Sequence, residues 1–323
     1  MLDRAFPPMP QTLADLSTGG HLALTPIVAD PHRLVPALEG LGPLVAATAN
    51  AACRIARTGP YRNFQPGAHA AMVFDEAVDL RFFPAHWVHA RAAEGDDGGL
   101  ALHVFDAAGD AVHTITAGPE TDTALWRGMV ASLAADLPLA PPLAPRAQPE
   151  APRPNPGRAD ELRAEWDRMT DTHQFLRIVA RLKMNRLGAY RIAGAPYVRP
   201  LPPASVAHVL TSAAAEELPV MAFVGNRGCI QIHGGRIRGL DLAGGALTVR
   251  DADLSLDLDC TRIAEVWAVT KPTRAGRAVS IEAFEADGSL IAQIFGMRRA
   301  GDAAVAQWDA LVSAETSAVE VSA

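Results

Sequence analysis

Few residues in this chain combine a type and a setting that could do chemistry, and His173 leads them. It lies in EWDRMTDTHQFLRIVARLKMNRLG, Glu165 to Gly188. Trp166, Met169, His173, Leu176, Ala180 and Lys183 follow one another at steps of three and four, which places them on one face of a single amphipathic helix. The stripe is apolar apart from His173 in its middle and Lys183 at its end. Gly188 stands where such a helix would stop, behind Arg181, Lys183 and Arg186, whose charges suit a helix C-terminus. A histidine in an apolar stripe is either a core residue bonded to a neighbour or a ligand. A neutral imidazole on a rigid helix, facing an apolar pocket, is what a haem iron takes on its proximal side. The pattern alone leaves both open.

Other candidates carry less. AFVGNRGCIQIHGG, residues 222–235, is the most conspicuous glycine cluster. It lacks the GxxxxGK[ST] order of a phosphate loop, and its glycines alternate with strand formers, so tight turns and close backbone approach are expected there. No GxGxxG, HExxH or GxSxG occurs. Cys53, Cys229 and Cys260 are far apart, without metal-ligand spacing, and point to a reducing cytoplasm. His86 and His89, three apart in a strand, face opposite sides and read as surface or interface residues.

The elements that must position His173 follow from composition and period. The 323 residues are 49% apolar and 20% charged, with a net charge of −7, which describes a globular chain and argues against nucleic-acid binding as its main role. The opening MLDRAFPPMPQTLADL lacks the basic and apolar regions of a signal peptide, and no stretch reads as a membrane span. Prolines restrict residues 1 to about 45 to short helices, and Leu44 to Ile55 fits helix or strand. From Ala70, short runs with turn signals between them read as an antiparallel meander, followed by a helix over Asp122–Ala135. Residues 138–156 hold eight of the 25 prolines and read as an extended, semi-rigid spacer. Beyond the His173 segment come a helix over Ser205–Glu217, eight strands beginning at VMAFVG, and a last helix over Asp302–Val312.

The halves echo each other. Phe105 and Gly109 in the first fall on Phe284 and Gly288 in the second at one offset of 179 residues, and a helix bearing a tryptophan, Trp126 or Trp308, follows each. The expectation is an internally duplicated α+β chain, each half an extended antiparallel β-sheet with packed helices. Residues 1–137 form the first repeat, 138–156 the linker and 157–323 the second repeat with the ligand histidine.

EWDRMTDTHQF, FVGNRGCIQI, RIAEVWAVTKPT and IAQIFGMR, in this order and spacing, resemble the HemS/HmuS/ChuS family of bacterial haemin-utilisation proteins. The resemblance is strong over residues 160 to 312 and weaker, through DLRFFPAHW, over 33 to 135. It implies that haem lies in a cleft of the C-terminal half, capped by part of the N-terminal half. By the same resemblance His173 is the proximal iron ligand and Arg81 reaches the distal face. Arg186, Lys271, Gln293 and Arg298 match propionate contacts, and Phe223 matches an aromatic wall. Phe295 stands where the family often has tyrosine, which removes a hydroxyl from the site. A large apolar plate with two carboxylates on one edge needs an apolar slot and cations at its rim, which suits these residue types.

Two functions follow from the resemblance. The first is cytoplasmic haem degradation that releases iron for iron acquisition, with Arg81 stabilising charge on the distal side. No flavin or nicotinamide fingerprint is present, so an external reductase would supply electrons. The second is haem transport, in which the protein takes haem from an importer and passes it to a downstream acceptor or degrading protein. Neither needs nucleic acid or membrane insertion.

Overall fold

The computed structural model describes residues 9–18 and 22–315. The first eight residues, on which half of the signal-peptide reading falls, lie outside them. The strands form two antiparallel sheets with packed helices, and the chain divides into two compact units. Unit one comprises the residues up to Ala147 together with Phe223–His233 and Val249–Asp257, and unit two the remainder.

In unit one, strands Leu22–Ile27, His89–Gly95, Leu100–Phe105, Ala111–Ala117, Leu44–Ala49 and Cys53–Gly59 pair in that order, all antiparallel. Helices Pro31–Ala37 and Thr123–Leu133 bury Leu34, Val35, Trp126, Met129 and Leu133 in one core with Leu102, Val104 and Ile115. The helix after the meander starts where its sequence signals say. Asp122 caps it by accepting the N–H groups of Ala124 (2.8 Å) and Leu125 (3.1 Å). Leu44 to Ile55 resolves into two strands. Strand Leu22–Ile27, hidden in the proline-rich opening, tolerates Pro26 because it lies at a sheet edge. A short ribbon, Ala71–Phe74 with Asp79–Phe82, pairs through its second strand with Cys229–Ile232.

The glycine cluster behaves as strand turns require. Asn226 Oδ1 accepts the N–H groups of Gly228 and Cys229 at 3.0 Å, and its Nδ2 donates to the carbonyls of Ala49 and Val112 at 2.9 Å. A Cβ on Gly228 would stand 2.5 Å from Val112 Cγ1, so glycine is needed there for close approach.

In unit two, strands Leu290–Gly296, Gly276–Phe284, Glu265–Thr273 and Val198–Leu201 pair antiparallel in that order. Helices Ala159–Asp167, Gln174–Arg181 and Arg186–Ala193 cover the sheet through Leu162, Trp166, Phe175, Val179, Leu187 and Tyr190. Helix Asp302–Ala314 buries Trp308, whose Nε1–H donates to Val279 O at 2.9 Å.

The echo between the halves is visible in the backbone. The strand register shifts at Val104/Phe105 in one unit and at Ala283/Phe284 in the other. In the hairpins that follow, Gly109 and Gly288 both take positive φ, +81° and +92°, and donate to Asp106 O and Glu285 O at 3.0 Å. One bulge and one turn recur at the 179-residue offset.

The proline-rich stretch is strapped down along its first part. Buried Arg91 donates to Pro138 O (2.9 Å) and Leu139 O (3.0 Å), and Arg146 Nε meets Asp110 at 2.7 Å. In unit two, Asn185 Oδ1 accepts the Arg153 N–H (2.9 Å) and its Nδ2 donates to Ala151 O (2.8 Å). Such contacts supply backbone partners to a segment without secondary structure.

Candidate functional site

The single helix expected over Glu165–Gly188 is three shorter elements. Helix Ala159–Asp167 ends after Trp166, and Thr170, Asp171 and Thr172 form a turn. Asp171 Oδ1 accepts the His173 backbone N–H at 2.8 Å, and Gln174 Oε1 accepts that of Thr170 at 2.9 Å. Side chains that bond their own backbone compete with a continuous helix, and this triplet wins. Helix Gln174–Arg181 then buries Phe175 and Val179, with Leu182 one turn on, while Leu176, Ala180 and Lys183 are exposed. The core face is therefore offset from the stripe that contains His173.

That helix ends at Lys183, which takes φ +60°. Met184 N–H donates to Val179 O at 2.9 Å and Lys183 N–H to Ala180 O at 3.0 Å, the paired bonds of a Schellman stop. Arg186 therefore opens the next helix, Arg186–Ala193, capped by Asn185, rather than closing the His173 helix. Gly188 is buried inside it. A Cβ there would stand 2.2 Å from the carbonyl carbon of Arg153, so its role is close packing and not termination.

His173 is thus not a core residue. It sits at the N-cap position of Gln174–Arg181 with its side chain 94% exposed. Its Nδ1 lies 2.7 Å from Asp171 Oδ1, and its Nε2 has no hydrogen-bond partner among the described residues. The His173 backbone N–H, then its ring, then Arg274, hold the Asp171 carboxyl below its usual range. His173, Thr170, Asp171, Gln174, Arg177 and Arg274 line a concavity of about 550 Å³. Arg177 is one helical turn from His173, a spacing legible in the sequence, and neither it nor Arg274 was singled out there.

Beneath the His173 turn lies a buried charge cluster. Glu282, fully buried on strand Gly276–Phe284, accepts from Lys271 Nζ (2.8 Å), Arg186 Nη1 (2.7 Å), Tyr190 OH (2.8 Å) and Ser280 Oγ (3.1 Å). Burial alone would raise its pKa, but the Lys271 and Arg186 charges prevail and hold it well below the carboxylate range. Burial pushes the Lys271 ammonium down, and Glu282 offsets part of that. Lys271 also lies 4.9 Å from the ring centroid of Phe175, the anchor of the His173 helix.

Register places Gln293 opposite Glu282 and Phe295 opposite Ser280, and opposed residues share a sheet face. Arg186, Lys271, Gln293 and Phe295 are therefore gathered on one face of unit two. Lys271 and Arg186, expected at an open rim, are instead turned to Glu282, with Lys271 only 3% exposed. Arg298 donates from Nη1 to Ala275 O and from Nη2 to Arg277 O. Arg81 and Phe223 belong to unit one. Arg81 lies on strand Asp79–Phe82, ion-paired to Asp79 and donating to Leu80 O at 3.0 Å, and Phe223 is half-buried on strand Val220–Gly225.

The fold and site define a duplicated α+β protein that presents one carboxylate-tethered imidazole in an arginine-lined concavity. The chain belongs to the haemin-degrading HemS.ChuX domain family, whose model matches it twice, over residues 13–133 and 183–314. It is 33% identical over 284 residues to the hemin transport protein HmuS of Yersinia pestis, covering 87% of this chain and 82% of that one. Holo-PhuS, a heme-binding protein from Pseudomonas aeruginosa, superposes with a TM-score of 0.82 at 34% identity, over 91% of this chain and 87% of its own. ChuS, an E. coli heme oxygenase, superposes with a TM-score of 0.82 at 28% identity, over 94% and 90%.

Proposed function

We propose that this chain binds haem through His173 Nε2 and serves haem utilisation. The observation that carries the reading is the tethered ring of His173: Nδ1 is engaged by Asp171, and the residue lines a concavity together with Arg177 and Arg274. The imidazole and the two arginines suit the iron and the carboxylates of haem; the lining of the concavity is polar, so the apolar surface that the haem ring needs is assigned to other residues through the family motifs. Bound haem would supply an iron centre able to take an axial nitrogen and change oxidation state. Arg186, Lys271, Gln293 and Arg298 are the proposed carboxylate contacts, with Phe223 and Phe295 as aromatic surface. For Arg186 and Lys271 this requires a carboxylate to share or replace Glu282.

The exposure of His173 favours reversible binding and transfer, with an importer upstream and a haem acceptor downstream. A chain that must release its cargo benefits from a ligand that solvent and an acceptor can reach. The names of the transport relatives support this reading. Degradation to release iron is the second reading. It is supported by the description of the family and by Arg81, a cation held in place by Asp79 and assigned to the opposite haem face by its DLRF motif. It needs an external electron donor. Both readings place the work in the cytoplasm; none of the chain's described helices is long and apolar enough to cross a membrane.

A single-turnover experiment separates them. The protein is loaded with one equivalent of haemin, then given a reductant in air with catalase present. Soret decay with a defined tetrapyrrole product and free iron, slowed in Arg81→Ala, establishes degradation. Intact haem that moves to an added apo-acceptor establishes carriage. Absence of a Soret band on loading overturns both.

A further inference from the structure

We propose that Asp171 is a positioning residue for the ligand histidine, fixing the proton of the His173 ring on Nδ1 so that the Nε2 lone pair faces outward. The proposal rests on the haem reading given above for its use, but not for its geometry. One carboxylate oxygen, Asp171 Oδ1, takes two donors from the same residue: the backbone N–H at 2.8 Å and ring Nδ1 at 2.7 Å. The two bonds clamp the ring against its own main chain, although the side chain is 94% exposed among the described residues.

The clamp is anchored in turn. Gln174 Oε1 accepts the Thr170 N–H at 2.9 Å, Gln174 N–H donates to Asp171 O at 3.1 Å, and Arg274 N–H donates to Thr170 O at 3.0 Å. A carboxylate is acceptor-only, so the neutral ring must carry its proton on the nitrogen facing it. Free histidine in water prefers the opposite tautomer, with the proton on Nε2, which cannot ligate iron without losing that proton. Asp171 reverses this preference before any ligand arrives. A carboxylate behind a metal-ligating histidine also raises the donor strength of the imidazole, and loss of such a partner typically weakens metal binding by about 10–100-fold.

The test has two arms. In the first, the ligand-free protein is labelled with ¹⁵N-histidine, and the ring nitrogens of His173 are read at a pH where the ring is neutral. The expected spectrum shows Nδ1 protonated and Nε2 bare in the parent, with the Nε2–H tautomer regained in Asp171→Ala, which removes the acceptor oxygen. A parent ring protonated on Nε2 overturns the proposal, whatever the protein does with haem. In the second arm, haemin is titrated and the iron–imidazole stretch of the reduced form is read by resonance Raman. Asp171→Ala should raise the Kd about 10–100-fold and lower the stretching frequency. An unchanged Kd and frequency overturn the proposal. If the parent fails to bind haemin while its ring is protonated on Nδ1, the haem reading falls and the tautomer assignment stands.

Discussion

Glu282→Gln isolates the buried charge cluster that supports the His173 helix. Tyr190 and Arg186 donate to one oxygen of Glu282, and Ser280 and Lys271 to the other, so glutamine keeps an acceptor for only one of these pairs and removes the charge 2.8 Å from Lys271 Nζ and 2.7 Å from Arg186. Arg186 is 20% exposed and can turn to water, whereas the Lys271 side chain is 4% exposed and cannot. Breaking a buried pair by removing one partner costs about 3–5 kcal/mol, because the other charge is left uncompensated. At about 2–4 °C per kcal/mol for a unit of roughly 150–250 residues, Tm should fall by about 6–20 °C. Urea unfolding followed by tryptophan fluorescence reads the same loss near Trp166, which lies 4.6 Å from Phe175 in this core. The double variant Lys271→Met/Glu282→Gln removes the stranded charge and should recover at least half of the loss. A single variant within about 1 kcal/mol of the parent, or a double variant no better than the single, would refute the claim that the cluster is held by this pair.

Three further outcomes follow from other parts of the molecule. His113, fully buried against Tyr61 OH (2.7 Å) and Thr48 Oγ1 (2.9 Å), is pushed by burial down to about 3, so it stays neutral in the folded state while the unfolded chain takes up a proton below about pH 6.5. Its contribution is therefore intact above that pH and falls by about 1.4 kcal/mol per pH unit on acidification towards 3, and His113→Gln should flatten the pH profile of unfolding over that window. Gly188→Ala places a methyl 2.2 Å from the Arg153 backbone and should cost about 1–3 kcal/mol in urea unfolding, whereas a neutral result would show that the strap at Arg153 moves freely. Arg81→Ala should leave haemin affinity nearly unchanged but alter the Soret and charge-transfer bands and their pH dependence; an unaltered spectrum removes Arg81 from the haem face.

Many strand positions are legible because alternation and turn residues act locally, but strand order is not. The meander expected from Ala70 is split, with Ala71–Phe74 and Asp79–Phe82 joining Cys229–Ile232 in one sheet and His89–Gly95 and Leu100–Phe105 pairing in the other. Strand Val220–Gly225 begins and ends where its pattern does, and the hairpins at Gly109 and Gly288 follow from their turn residues and the offset between them. The helix break at Thr170–Thr172 was hidden by two overlapping apolar registers, 166/169/176/180 and 175/179/182. Which of them faces the core depends on the sheet beneath, and only side-chain bonds to the backbone reveal the turn. His173 was found by motif, yet its exposure was not, since a stripe was read where a cap exists. Glu282 was missed although an acid at an inward strand position, between Ile281 and Ala283, signals a buried partner cation. Arg274 comes to His173 through a backbone bond to Thr170, more than 100 residues away in sequence, and no local pattern encodes that.

The central claim is that His173 Nε2 is the iron ligand, and haemin titration of His173→Ala against the parent tests it most directly. Loss of the axial nitrogen should abolish the ligand-shifted Soret band and raise the Kd at least about tenfold, equivalent to about 1.4 kcal/mol, with added imidazole restoring the spectrum. A variant that binds haemin with the parent's affinity and the parent's spectrum would contradict the account.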